Sequence, residues 1–303
     1  MSSTENAAPG AASDLSVQYD TPMGLAHGTM QALKDRIKLH YDLASDYYLR
    51  LWGEHIHHGY WPTDESKATE TKEKAQVNLI ELLLSGAGLA PSSAAPGLRV
   101  LDVGCGLGGT SRYLARTLGC SVTGVTISTK QVEMATRLSR AEADKDANDK
   151  TKAADADDGD FVPIGQGKVR FLELDAETMG ADEALSHIPG KDAFFRNAFA
   201  VLKQGGTLVI ADWFKGEGLE EGNADIKNIE DGMLLPPLHT QQGYVDLATA
   251  AGFTVRSAPK DISADVSKTC QGRDGIAFLQ AFRAMRRGYA NGSFRYAVMA
   301  FAK

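Results

Sequence analysis

Only three cysteines, Cys105, Cys120 and Cys270, occur in the 303 residues, too few and too scattered for a disulfide framework or a structural zinc site. A reducing compartment is the expectation. No apolar run approaches the roughly 20 residues needed to cross a bilayer, so no stable membrane insertion is expected. The opening MSSTENAAPGAASD has neither an arginine-rich amphipathic helix nor an apolar signal core, which points to the cytoplasm. Basic blocks are lacking too. Lys and Arg number 32 against 39 Asp and Glu, a net charge of −7. Gripping phosphate backbones takes a basic face, so nucleic acid is not an expected partner. One shortage is local: between Leu174 and Phe194 there is no apolar run long enough for a buried strand.

What is present is 43% apolar residues, arranged in alternating helical and strand-like segments. Residues 1–25 read as a flexible leader and 26–97 as a helical cap, with amphipathic spacing from Met30 to Leu51 and a helix over 67–88. Between them lies LWGEHIHHGYWP, dense in aromatics and histidines. From 98 to 303, strands at 98–103, 121–127, 168–175, 206–214 and in FTVRSA and FRYAVMAFAK alternate with helices at 109–118, 128–142, 191–203, 241–251 and 275–290. That order predicts an α/β fold, a doubly wound and mostly parallel sheet. The Ala/Asp/Lys-rich stretch 143–165 reads as a solvated insertion, and 215–241 as a lid.

The most informative stretch is VLDVGCGLGG, residues 100–109: a buried strand running into glycines and then a helix start. Glycines there let the backbone turn tightly and approach a ligand. Such a loop serves dinucleotides as well as other cofactors. Two details disfavour a dinucleotide. Asp102, just before the glycines, would repel a pyrophosphate, and strand two ends GVTIS without the acidic residue that usually takes the ribose.

VLDVGCGLGGTSRYLA, GVTISTKQVEMA, FLELDAE and ALSHIPGKDAFFRNAFAVLKQGGTLVIADWF together resemble the class I S-adenosylmethionine-dependent methyltransferases. More narrowly they are similar to the group of tocopherol, sterol C-24 and alkaloid N-methyltransferases, as is LWGEHIHHGYW with its preceding HYD. The resemblance spans roughly residues 36–303. It implies S-adenosyl-L-methionine as cofactor, with Gly104, Gly106 and Gly108 near its methionine part and Asp102 beside them. Thr126, Ile127 and Gln131 would meet the ribose and adenine, and Asp175, Ala176 and Glu177 the adenine. Tyr41, Tyr60 and Trp61 would close over the sulfonium, where an aromatic face is favourable by about 0.5–2 kcal/mol. Plain cap packing is the other reading of Tyr60 and Trp61.

Methyl transfer asks mainly for alignment and, where needed, removal of a proton. His187, at the expected end of strand four, is the candidate base, with Asp212 at the end of the next strand orienting it or contacting substrate. A helix cap and a backbone-amide acceptor are the structural alternatives. His55, His57 and His58 do not have the separation of a catalytic zinc set, so no metal is expected. His239 is a candidate substrate contact. Only eleven residues, AETMGADEALS, separate Asp175 from His187, about half what a class I methyltransferase spends on a helix, strand four and a loop. Lost coding sequence, an inactive or regulatory variant, and a sheet closing around the gap are the readings, and the intact flanking motifs favour the first. The activity expected is methyl transfer to N, O or C of a small, lipophilic or alkaloid-like metabolite. The alternatives are a cyclase-like or regulatory cofactor-binding protein and a nicotinamide oxidoreductase.

Overall fold

The computed structural model describes residues 30–90, 95–149, 160–174, 190–266 and 276–303. α1 (Met30–Trp52) is one helix. The single helix expected over 67–88 is two, α2 (Asp64–Thr69) and α3 (Lys72–Gly86). Local capping divides them. Thr63 and Ser66 form a reciprocal capping box at the start of α2, and Glu70 leaves it with extended backbone. The Thr71 hydroxyl then accepts from the Lys74 N–H at 3.2 Å and starts α3.

The first half of the core comprises β1 (Arg99–Val103), α4 (Gly109–Leu118), β2 (Ser121–Thr126), α5 (Thr129–Asp149), β3 (Val162–Ile164) and β4 (Gly167–Glu173). Its sheet has the order β1-β2-β4-β3, with β1, β2 and β4 parallel and β3 antiparallel on the outer edge. Asp102 lies opposite Gly124, which lies opposite Phe171, so the ends carrying Val103, Thr126 and Glu173 share one edge. That is the edge where open α/β sheets bind ligands. The stretch 143–165 is only partly the solvated insertion expected from its composition. α5 continues to Asp149, while Val162 and Ile164 are buried on β3 with Pro163 exposed between them. Period-two burial makes this a strand, and an edge position tolerates the proline.

The second half comprises α6 (Lys191–Val201), β5 (Thr207–Lys215), α7 (Ala224–Gly232), α8 (Gln241–Ala250), β6 (Thr254–Asp261), α9 (Ser263–Val266), α10 (Ile276–Asn291) and β7 (Phe294–Ala302). Its sheet has the order β5-β7-β6, with β7 antiparallel to both neighbours. Phe194 and Phe195 of α6 and Tyr244 of α8 pack with Ile210, Phe214, Phe253 and Phe301 in one buried cluster. Helix α7, in the stretch expected to be a lid, is anchored: Ile226 and Ile229 pack against Ala284 and Met285 of α10 and Phe294.

Among the described residues β1 pairs only with β2 and β5 only with β7, so the sheet is in two pieces. The break falls where strand four was expected; its segment, with Asp175, Ala176, Glu177 and His187, lies outside the described residues. α3 spans the break. Ile80 and Leu84 pack into the cluster of α4 and β2, while Leu79 joins Val298 and Tyr296 of β7, with Val209 of β5 against them. Each such buried aliphatic side chain contributes about 1.5–3 kcal/mol.

Candidate cofactor and active site

Gly104, Gly106 and Gly108 have φ of 66°, 52° and 73°, the left-handed region that side chains resist. Space demands glycine as well. A Cβ on Gly108 would stand 2.6 Å from the Phe171 ring, and one on Gly124 2.7 Å from the same ring. The loop is therefore pressed onto β2 and β4, leaving a backbone-lined turn before α4. Asp102, at the end of β1, accepts from the Ser111 hydroxyl at 2.6 Å. Burial pushes its carboxyl up to about 6, although the Ser111 contacts pull the other way. A cationic or N–H-rich group beside it would relieve that cost.

The β2 end is held by a polar chain. Thr126 donates to Gln131 Oε1 at 2.7 Å, and the Gln131 N–H donates to Ser128 Oγ at 3.1 Å. Ser128 Oγ in turn donates to Asp42 of α1 at 2.6 Å, and the Lys130 N–H reaches the same carboxylate at 3.3 Å. Lys38 of α1 pairs with Glu173 at the end of β4. α1 thus lies across the strand ends, and Tyr41 packs there with Ile37, Ile127 and Leu234. Leu234 has a φ of 54°, the only non-glycine positive value among the described residues. A leucine there is strained, and the buried contacts of its side chain hold it.

The loop 53–61 roofs the glycines. A Cβ on Gly109 would collide with the Glu54 carbonyl, and one on Gly106 would stand 3.4 Å from Ile56 Cδ1. Gln76 of α3 holds the loop from behind, donating to the carbonyls of His55 at 2.5 Å and His57 at 3.1 Å. His57 Nδ1 donates to the His58 carbonyl at 2.9 Å, and His58 Nε2 accepts from Trp213 Nε1 at 2.8 Å. Burial lowers all three imidazoles, His55 to about 4 and His58 to about 3, so they are neutral at pH 7. Among the described residues no three His, Cys, Asp or Glu side chains group as a metal site.

Tyr60 and Trp61 are not brought to the glycines by their observed contacts. The Tyr60 N–H bonds the Ala75 carbonyl, its hydroxyl accepts from Lys260 at 3.2 Å, and its ring packs with the cluster on β7. Trp61 is buried and its backbone N–H bonds the Asp265 carbonyl. Asp212 does not end its strand as expected but is buried within β5, which stays paired with β7 through Lys215; it accepts from Tyr244 at 2.6 Å and from the Trp213 N–H at 2.8 Å. Burial first, then the Asp212 charge, raises the Tyr244 and Tyr296 phenols. His239 packs on Tyr244 with ring centroids 5.9 Å apart. Sequence reasoning missed Glu54, Ile56, Arg112 and Asp42. The one available signal was Arg112, a charge beside the apolar stripe of a short helix.

Residues 29–217 match the family described as Mycolic acid cyclopropane synthetase. The chain is 35% identical over 169 residues to 2-methyl-6-phytyl-1,4-hydroquinone methyltransferase of Synechocystis, covering 55% of this chain and 46% of that protein. It is 30% identical over 225 residues to a probable chloroplastic tocopherol O-methyltransferase of Oryza sativa, covering 71% and 59%. The chain thus spans about half to three fifths of the length of these curated relatives. Geranyl diphosphate C-methyltransferase of Streptomyces coelicolor superposes with a TM-score of 0.68 at 17% identity, over 91% of this chain and 99% of that one. That likeness gives the fold: class I methyltransferase, Rossmann-like.

Proposed function

Since the chain belongs to the mycolic acid cyclopropane synthetase family, we propose that it is an S-adenosylmethionine-dependent methyltransferase acting on a small lipophilic metabolite. The observation that carries this reading is the glycine cradle of 104–108, with Asp102 beneath it and the 53–61 loop over it. The residues fit the cofactor. The glycine turn, whose two side chains Cys105 and Leu107 are buried, receives its amino-acid part, and the costly Asp102 carboxylate gains a cation. Thr126, Ile127 and Gln131 at the β2 end, with Asp175, Ala176 and Glu177 following β4, take the nucleoside part. Tyr41 belongs to the wall that α1 lays across the strand ends, while Tyr60 and Trp61 support the cap. When bound, the cofactor supplies a methyl group activated by positive sulfur. The chain's own work is to align the acceptor, exclude water and hold a proton acceptor nearby. His187 is that base in our reading, with Asp212 of β5 orienting it or contacting substrate.

Relatives named for quinol and tocopherol methylation support a lipophilic acceptor. Of the four apolar lid residues 233, 234, 235 and 238, Leu235 and Leu238 are taken up by packing on α10, with Met233 against them. Leu234 alone faces Tyr41 and Ile127, so it is the lid's contribution to the acceptor wall. Cytoplasmic location belongs to the same reading, supported by Cys105 and Cys120, which are buried free thiols.

The test is turnover. Purified protein with S-adenosylmethionine and a panel of quinols, sterols and macrolactones is expected to form S-adenosylhomocysteine with at least one acceptor. The methylated product should appear by mass spectrometry in equal amount. Tight cofactor binding without S-adenosylhomocysteine formation across the panel would overturn methyl transfer and leave a binding protein.

A further inference from the structure

Arg112, on the first turns of α4, is buried to 1% exposure, and its guanidinium is divided among three elements. Nη1 donates to the Leu107 carbonyl inside the glycine loop at 2.8 Å. Nη2 donates to Glu54 Oε2 in the cap loop at 2.9 Å. Nε lies 3.3 Å from Glu142 Oε2 on α5, and Glu142 also pairs with Arg116. The fork geometry of a guanidinium suits such a junction, because each edge addresses a different partner in a fixed plane.

The three partners differ in what they do. Glu142 anchors the arginine to α5, whose packing on β3 and β4 is part of the core. Leu107 shapes the turn that faces the cofactor. Glu54 is the outlier: its side chain is 55% exposed and belongs to the roof over Gly106 and Gly109. Burial works to raise the Glu54 carboxyl, yet the Arg112 hydrogen bond and charge, with His55 and Arg116, bring it below its ordinary value. It is ionised at neutral pH. Residues 54–56 stand over Gly106 and Gly109, so any lifting of this loop would part Glu54 from Arg112.

Building on the methyltransferase reading, we propose that Arg112 and Glu54 form a latch that closes the cap loop over the bound cofactor. Arg112 is a positioning residue, acting through the Leu107 carbonyl on the cradle and through Glu54 on the roof. The latch sets how long the cofactor and its demethylated product stay bound, and leaves the chemical step alone.

The experiment is stopped-flow displacement of S-adenosylhomocysteine from the full chain, wild type against Glu54→Gln and Glu142→Gln. Glu54→Gln removes the charge from the half-exposed pair and should speed dissociation about five-fold, in line with an ion pair of about 1 kcal/mol. The KM for S-adenosylmethionine should rise by the same factor, with kcat not reduced. Glu142→Gln removes an ion pair from the same arginine without touching the roof, and should leave the dissociation rate at the wild-type value. Equal rates in wild type and Glu54→Gln, with both folded by circular dichroism, would overturn the latch. So would equal acceleration by the two variants, which would mark Arg112 as a support of the fold alone. A wild type that binds no S-adenosylhomocysteine fails the methyltransferase reading instead, so the two failures are told apart.

Discussion

Asp102 shows how one side chain ties the fold to the chemistry. Its carboxyl titrates near 6 in the folded protein because burial outweighs the help of Ser111. A raised folded value means the stabilising contribution is present below the ordinary value of 3.8 and is lost as pH rises through about 6. At pH 8 the apoprotein therefore carries a cost of up to about 3 kcal/mol at this one position. Asp102→Asn should melt higher than wild type at pH 8, with the difference shrinking towards pH 4; a lower midpoint for the variant at pH 8 would contradict this. The glycines after it were legible in the sequence because positive φ and close packing leave no other residue a place. Tyr60 and Trp61 were less so. An aromatic side chain's partners come from remote elements, here Lys260 against the Tyr60 hydroxyl and ring, and no local spacing encodes them. Arg112 was missed for the same reason, since its partner Glu54 lies 58 positions away.

Most strands and helices ended within a residue or two of where periodicity and capping put them. The exceptions have local causes. Thr71 starts a helix inside a continuous helical pattern because its hydroxyl competes as a cap. β3 was hidden by the polar run before it. The pair Gly165-Gln166 between VPI and GKV was the hairpin signal, with Gly165 at a φ of 58°. At this scale the cap loop is the pH-sensitive part. His55, His57 and His58 have lowered values, so the unfolded chain takes up protons near 6.5 before the folded one does. Stability falls as pH drops from about 6.5 towards 4, by about 1.4 kcal/mol per pH unit for each of His55 and His58, with His57 acting in the same direction. Asp102 and Glu230, both raised by burial, work in the opposite direction, but His40 and His239, also lowered by burial, add to the three imidazoles of the loop. Thermal midpoints measured from pH 7 to 5 should therefore fall, and His58→Asn, which keeps an acceptor for Trp213, should flatten the slope. A wild-type midpoint that does not fall over that range would contradict the cap as a set of buried neutral histidines.

Among the described residues the sheet is in two pieces, joined by α3 and by the cap loop. The loop reaches the first half through Glu54 and Arg112 and the second through His58 and Trp213. The family and the α/β plan were legible because four motifs at the right spacing all name the same architecture. How the two halves meet was not, because α3 faces both sheets and a helical pattern shows only that it is apolar. The central claim is that this chain holds a formed S-adenosylmethionine site at the ends of β1, β2 and β4. Calorimetric titration of the full chain with S-adenosylmethionine, beside Asp102→Ala, tests it. The account predicts micromolar binding by the wild type, a ligand-induced rise in thermal midpoint, and loss of both in the variant. A folded wild type that gives no binding heat and no rise in midpoint would contradict it.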